Sequence, residues 1–571
     1  MPAVSLRIRG PGRSAAVLLA YFAIAIAVLR PPKGALTGAV VAGTEPCDTV
    51  PFALSWAIGW AHARLDAPAA WWSSASWWDA PIFHPIEGAL ALSESMPLLA
   101  VVTWPAHALG LPLAGCTTLA VFATLVANGW FVRRWLLWLR TGPTLASIGG
   151  AIAVLLPFVH QELGVLPLVG VWPLVWMIQA TGELLDARTG ARARRGAVEL
   201  GLATAAGVAT CGQLTLATAL LLPACGAWLL RREHLRGAVV LPAILALVIA
   251  AAGSAPIALP QRATLEALGL RRTEQSQDRG AGRARELWRV PWSGLVPLPA
   301  AAVAAHPTDR AFDPGPLRTI AAAAGAIVVV RSRRRRRHVA MLLTLVAGAI
   351  LLAFAPRIVI AGWEPSEFLS DHVPGYGQIR AVFRAIVLAQ LGVLALAMLG
   401  LRALQVRLRA RKGGPKMVWI AAVLLLVELT PPAPRWATLP DTDAAWLIWL
   451  RDEAPADAPI AWIPFPATGD VCDYAGTAAA MLLGLEHGHP MVNGYSSYFP
   501  RPYNRAEHAA RKLPHGRGIV ALRVLGTRYL VAPDGGPLDG IDAARRELLR
   551  IHPVLRDDAA GVTIWEIDPS S

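Results

Sequence analysis

The sequence predicts a polytopic α-helical membrane protein with a C-terminal extracytoplasmic α/β domain, and three observations predict it. Hydrophobic residues make up 55% of the 571 positions and charged residues only 16%, against about 25% charged in a typical soluble chain. Apolar runs near the ~20 residues that span a bilayer recur through the first three quarters of the chain, separated by Arg-rich connectors. After residue 430 the pattern changes to short β-like runs between helical stretches.

Charge placement decides what the net charge of +15 means. Residues from 431 onward carry 13 Lys and Arg against 17 Asp and Glu, which leaves 40 against 21 in the first 430. That excess sits in Arg133 and Arg134, Arg188 to Arg195, Arg231 to Arg236, Arg331 and Arg333 to Arg337, and Arg402 to Lys416. Short cationic connectors between apolar runs are the positive-inside pattern and exclude a nucleic-acid surface.

Taken in order, Arg7, Arg9 and Arg13 precede the apolar run Ala15 to Leu29, and Arg30-Pro-Pro-Lys33 follows without an Ala-x-Ala cleavage site. This reads as a retained signal anchor over 1–30 with its N-terminus inside. Residues 31–96 form a first extracytoplasmic loop, in which Pro51 to His62 and Trp71, Trp72, Trp77 and Trp78 suit interfacial helices. A transmembrane bundle is expected over 97–254, with spans at 116–132, 143–158, 164–182, 197–213, 214–230 and 238–254. A second outer loop covers 255–318. A further bundle over 319–430 has spans at 319–330, 339–355, 384–402 and 417–430, with a third outer loop at 356–383. The segment Pro97 to Ala114 fits no full crossing, because counting it would put Arg133 and Arg134 outside; it is re-entrant or interfacial, or divided differently. The expected total is 11 to 13 spans, odd in number, which places the 431–571 domain outside a bacterial inner membrane.

In that domain Ile460 to Pro464, Met491 to Asn493, Tyr529 to Val531 and Val562 to Ile567 read as strands, and Thr442 to Arg451, Tyr503 to Lys512 and Gly540 to Ile551 as helices. The five cysteines include no CxxC motif, so neither a disulfide framework nor a zinc site organises the fold. Cys116, Cys211 and Cys225 lie in apolar segments as inert thiols. Cys47 and Cys472 fall on the outer side, where a disulfide persists if it forms; the sequence leaves their pairing open.

No phosphate loop, dinucleotide fingerprint, HExxH or nucleophile elbow is present. Chemistry therefore rests on acids and bases gathered at one membrane face. The first outer loop holds Glu45, Asp48, Asp79, His84 and Glu94, and a carboxylate there suits a general base or a divalent-metal ligand. Arg380 and Arg384 flank the start of a span and Arg271 and Arg272 lie in the second loop, where guanidinium groups suit bidentate phosphate binding. His160 and Glu162 stand at the outer end of a span, where ionisable groups are functional candidates. Asn493, Tyr495 and Tyr498 offer hydrogen bonding and stacking for a sugar, with a turn centred on Gly494 as the alternative.

The order of Asp48, Asp79-Ala-Pro-Ile-Phe-His-Pro85, Ser93-Glu94 before an apolar stretch, Pro157-Phe-Val-His-Gln-Glu-Leu163, Gly375 to Arg384 before a span, and Val492 to Pro500 followed by Leu522 to Val531 resembles the bacterial C-type (GT-C) glycosyltransferase superfamily. The resemblance implies hexosyl or pentosyl transfer from a polyprenyl-phosphate donor to an outer-face glycan, lipid or protein acceptor, usually with inversion. It implies Asp48 as base or metal ligand, with Glu45 beside it for Mg or Mn. It further implies Asp79 or Glu94 as a second acid and Arg380 or Arg384 as the phosphate contact. Family members place two adjacent acids or a Gly-Asp where this chain has Glu45-Pro-Cys-Asp48. Two alternatives stay open: a flippase for a lipid-linked glycan, which predicts paired broken helices in two similar halves where no internal repeat is seen, and a non-catalytic scaffold that keeps the fold.

Overall fold

A computed structural model describes residues 11–67, 77–187, 189–230, 239–271, 280–289, 292, 310–330, 335–411, 413–515 and 517–568. Trp71, Trp72, Arg188 and the connector at Arg231 to Arg236 lie outside the described residues. The chain divides into two compact units, one of residues 1–31, 121–256 and 271–434, the other of 32–120, 257–270 and 435–571.

The first unit is helical and polytopic. Among the described residues, six helices are long and apolar enough to cross a membrane: Leu113–Trp138, Pro143–Gln161, Leu166–Leu185, Val240–Ala267, Arg336–Arg357 and Val382–Leu408. Shorter apolar helices lie at Ser14–Leu29, Gly212–Ala227, Pro316–Val328 and Lys416–Val427. Burial separates their roles. The apolar window of Val382–Leu408 is 83% buried and that of Val240–Ala267 only 17%, so the first is central and the second faces outward with Leu241, Leu247 and Val248 exposed. A face so apolar is a liability in water and the ordinary exterior of a protein in lipid.

Helices in lipid gain nothing from burying apolar surface against one another, so close backbone approach through small residues holds them. Gly325 and Gly400 meet in this way, since a Cβ on either would come within 3 Å of the other's Cα. Where the helical backbone breaks between Val169 and Trp172, the buried Asn128 donates to the Val169 carbonyl at 2.7 Å and accepts from the amides of Val171 and Trp172. That replaces the hydrogen bonds lost at the break, as membrane burial requires.

Four of the five Arg-rich connectors meet at one end of this unit. Arg134 and Arg195 both pair with Glu199, the Trp138 ring packs edge-on against His338 at 5.0 Å, and the Arg402 guanidinium lies beside Gly142.

The second unit joins the first loop to the C-terminal region. β1 (Ala39–Gly43) pairs antiparallel with β2 (Arg435–Thr438), and Cys47 is bonded to Cys472 with Cα atoms 5.5 Å apart. The helix Thr49–Leu65 packs on the helix Ala475–His487 through Gly59, where a Cβ would strike Leu485. A four-stranded sheet runs in the order β3-β4-β6-β5, from Ile460–Trp462, Tyr529–Pro533, Val562–Ile567 and Ile551–Asp557. β3 and β4 are parallel and the other pairs antiparallel. A parallel pair needs a long crossover, and the helices Ala475–His487, Arg501–Ala510 and Gly518–Val524 supply it. Trp446, Leu450, Ile460, Met491, Val531 and Ile564 form the core under the sheet.

The segment Pro97 to Ala114 is a 12-residue helix, Pro97–Ala108, that stops at Gly110 (φ +90°) before the next helix begins at Leu113. It is too short to span a bilayer, which accounts for its poor fit to the topology.

Candidate functional site

In the helical unit the segment Tyr376 to Ala385 leads into the central helix through two short 3-10 turns. Gly280 seats it: the Phe383 amide donates to the Gly280 carbonyl at 3.1 Å, and a Cβ at Gly280 would collide with the Arg380 carbonyl. The seating turns Arg384 inward toward Glu162, at 3.5 Å. Beside it lies a cavity of about 20 Å³ lined by Gln213, Leu214, Leu352, Tyr376, Val382 and Arg384, enough for a water molecule or one oxygen of a headgroup. Two buried polar atoms here, the Arg384 Nε and the Tyr376 hydroxyl, have no partner within the protein. Burial pushes the Tyr376 phenol up to about 12, so it keeps its proton and acts as a donor. A guanidinium Nε–H and a phenol O–H that both lack acceptors are suited to an anionic oxygen. Arg310 stacks on Phe383 at 4.0 Å and donates to the Ala281 carbonyl, bracing the same segment.

The other anticipated residues of this unit are placed differently. Arg380 and Arg271 are exposed, and Arg272 lies outside the described residues. His160 is buried and its Nε2–H donates to the Val154 carbonyl at 2.9 Å, with its ring edge-on to Trp292; it closes a helix break, and does not face a ligand surface.

In the second unit Asp48 stands at the N-cap of Thr49–Leu65, half-exposed, and its Oδ1 accepts from Arg435. The same guanidinium donates to the Glu45 and Cys47 carbonyls at 3.1 and 2.8 Å, and Thr49 donates to the Val471 carbonyl at 2.8 Å. Strand pairing β1–β2 and the disulfide therefore fix Asp48 from both sides. The pair Asp48 and Glu45 does not fit a divalent cation: Arg435 already supplies the counter-charge, and no third acid or imidazole among the described residues groups with them.

Asp79 is exposed and accepts the Gly88 amide at 2.6 Å, fastening a loop. Glu94 and His84 are partly buried, and burial lowers the His84 pKa. Asn493 is fully buried, accepting from the Trp462 amide and donating to its carbonyl; this amide joins two backbone strands and is not presented to an acceptor. Tyr495 and Tyr498 are half-buried, and Tyr495 belongs to an aromatic cluster with Tyr474, Phe499 and Tyr503.

Sequence reasoning missed Tyr376 and Arg435. The first lay inside the quoted Gly375 to Arg384 stretch, and the second follows Thr430-Pro-Pro-Ala-Pro directly; neither carries a local signal beyond that.

No family model matches the sequence, and no curated protein matches it. Solved structures do. An arabinofuranosyltransferase, AftD, from Mycobacteria superposes with a TM-score of 0.58 at 14% identity, covering 98% of this chain and 40% of that one. The fold of this chain is the one seen in that solved structure. A mutant form of AftD gives a TM-score of 0.53 at 15% identity over 98% of this chain and 42% of the other. The Archaeoglobus fulgidus oligosaccharyltransferase in its apo form covers 91% of this chain and 69% of its own at 12% identity, with a TM-score of 0.49. The chain thus spans about two fifths of AftD, and its own long apolar helices are those of a multi-pass membrane protein.

Proposed function

We propose that this chain is a membrane glycosyltransferase that moves a sugar from a polyprenyl-phosphate donor to an acceptor on the extracytoplasmic side of a bacterial inner membrane. The observation that carries the reading is the pair of buried, unpartnered donors, Arg384 Nε and Tyr376 hydroxyl, on a cavity among apolar helices. A lipid phosphate brings both of its halves to such a place, the chain to the apolar walls and the anion to the donors. The disulfide Cys47–Cys472 supports an oxidising, extracytoplasmic location for the second unit.

In this reading the acceptor hydroxyl oxygen bonds to the anomeric carbon as the bond from that carbon to the phosphate oxygen breaks, and polyprenyl phosphate departs. Arg384 and Tyr376 stabilise the departing phosphate. The acceptor's proton passes to a carboxylate base, a role we assign to Asp48 on the ground that Arg435 holds its Oδ1 within the second unit. No step runs through a metal, because Asp48 and Glu45 do not suit one.

The test is transfer from radiolabelled polyprenyl-phosphate sugars in membranes with matched expression. Asp48→Asn is expected to lower transfer by about 10²–10⁴-fold and Arg384→Ala by about 10²–10³-fold. Wild-type transfer that survives both substitutions, or no transfer with any donor tried, overturns the reading in favour of a flippase or a scaffold.

A further inference from the structure

In the second unit, away from Asp48, three side chains of metal-binding type converge. His62 on the helix Thr49–Leu65, His107 on Pro97–Ala108 and Cys116 in the first turn of Leu113–Trp138 place their ligand atoms within 4.8 Å of one another. They are the one such trio of His, Cys, Asp or Glu among the described residues. The imidazoles stack at 4.6 Å between ring centroids. His62 is 1% exposed and Cys116 fully buried, with a free thiol.

The hydrogen bonds around the two rings say which nitrogen each one offers. Thr103 gives its hydroxyl proton to the Leu99 carbonyl, so His62 Nε2–H has the Ala100 carbonyl, 3.2 Å away, as its acceptor. That fixes the tautomer and leaves the His62 Nδ1 as a buried lone pair with no partner in the protein. His107 Nε2 faces the Asp66 carboxylate at 3.0 Å, and the Trp104 indole holds the other oxygen of Asp66. His107 Nδ1 is likewise the nitrogen left over. A ligating histidine characteristically donates its far N–H to a backbone carbonyl or a carboxylate, and here one ring has each kind of partner. The thiol now donates weakly to the Leu111 carbonyl at 3.4 Å.

We propose that His62, His107 and Cys116 bind a zinc ion, with Asp66 orienting His107 and a water at the fourth position. Two imidazoles and a thiolate suit a borderline-soft, tetrahedral cation, and calcium or magnesium would need oxygen donors instead. The Cys116 proton leaves to solvent on binding. The thiolate and the Asp66 carboxylate then balance the two charges of the ion. Ligands from three helices that are separate in sequence make the ion a clasp at the head of the first long apolar helix, and His107, partly exposed, gives the entry path.

The measurement is cobalt(II) titration of the full chain in detergent, after treatment with a chelator and with the Cys47–Cys472 bond intact. Expected is saturation at one cobalt per chain, a thiolate-to-cobalt charge-transfer band, and displacement by zinc. The band should vanish in Cys116→Ser and persist in the Cys211→Ala, Cys225→Ala double variant, while His62→Gln weakens uptake by at least about tenfold. If Cys116→Ser does not fold, a band in the double variant still decides for the site, because Cys116 is then the one remaining free thiol. No band in the wild type, or a band surviving Cys116→Ser, overturns the proposal whatever the outcome of the transfer assay.

Discussion

His487, buried where the helix Ala475–His487 ends at the left-handed Gly488, accepts the amide of His489 on Nδ1 at 3.0 Å. Burial, and then the neighbouring His489, push its pKa down to about 3. The unfolded chain protonates this ring near pH 6.5, whereas the native state does not until about pH 3. Its contribution to stability is therefore fully present above pH 6.5 and is lost as acid draws protons to the unfolded state across that window. By pH 4 the loss is on the order of 3 kcal/mol. Replacing His487 with Asn, which cannot titrate, should flatten the acid limb of a pH series of unfolding midpoints followed by tryptophan fluorescence. An unchanged limb would place the acid sensitivity elsewhere. At this scale the sequence offered Asp48 as a candidate but gave no sign of its ion-pair partner, because Arg435 lies 387 positions away and no periodicity links the two.

Among the elements, the segment from Arg380 to Ala385 depends on a glycine in another loop. Gly280→Ala puts a methyl group onto the Arg380 carbonyl, and backbone on both sides leaves it little room to yield. Overpacking of this kind costs about 1–3 kcal/mol. It should appear as a lower midpoint in thermal unfolding in detergent, with Arg384 displaced from Glu162; an unaltered midpoint would show that the loop yields freely. The apolar runs were legible as elements because lipid demands long, continuous hydrophobicity. The expected span 384–402, for instance, falls within the observed Val382–Leu408. Less legible was the expected span at 197–213, which is a helix from Gly190 to Val208, since Arg192, Arg194 and Arg195 mask its start in a hydropathy reading. The helix Ala475–His487 went unread, its small residues resembling a loop composition. So did β5, whose exposed positions do not alternate.

Across the whole chain, the placement of arginines carried the most information: connectors far apart in sequence were expected on one side, and four of them meet at one end of the helical unit. The composition shift after residue 430 announced strands but not that β2 pairs with β1 from the first loop, since a four-residue strand has no readable partner. The Cys47–Cys472 bond joins the same two regions, and removing it should cost about 2–5 kcal/mol. Cys47→Ser and Cys472→Ser delete one and the same bond, so the double variant should unfold at the midpoint of either single one. Additive losses would mean that the cysteines act separately. These regions also set an order of events during synthesis. With 425 residues between the two cysteines and translation at about 5–20 residues per second, Cys47 waits on the order of half a minute or longer while the intervening helices are inserted. The first loop is thus made early yet closes last. Through that interval its thiol has few competitors, because Cys116 and Cys225 are buried within helices and Cys211 is buried at a helix N-cap, and a chain so poor in cysteine can be left open without mispairing.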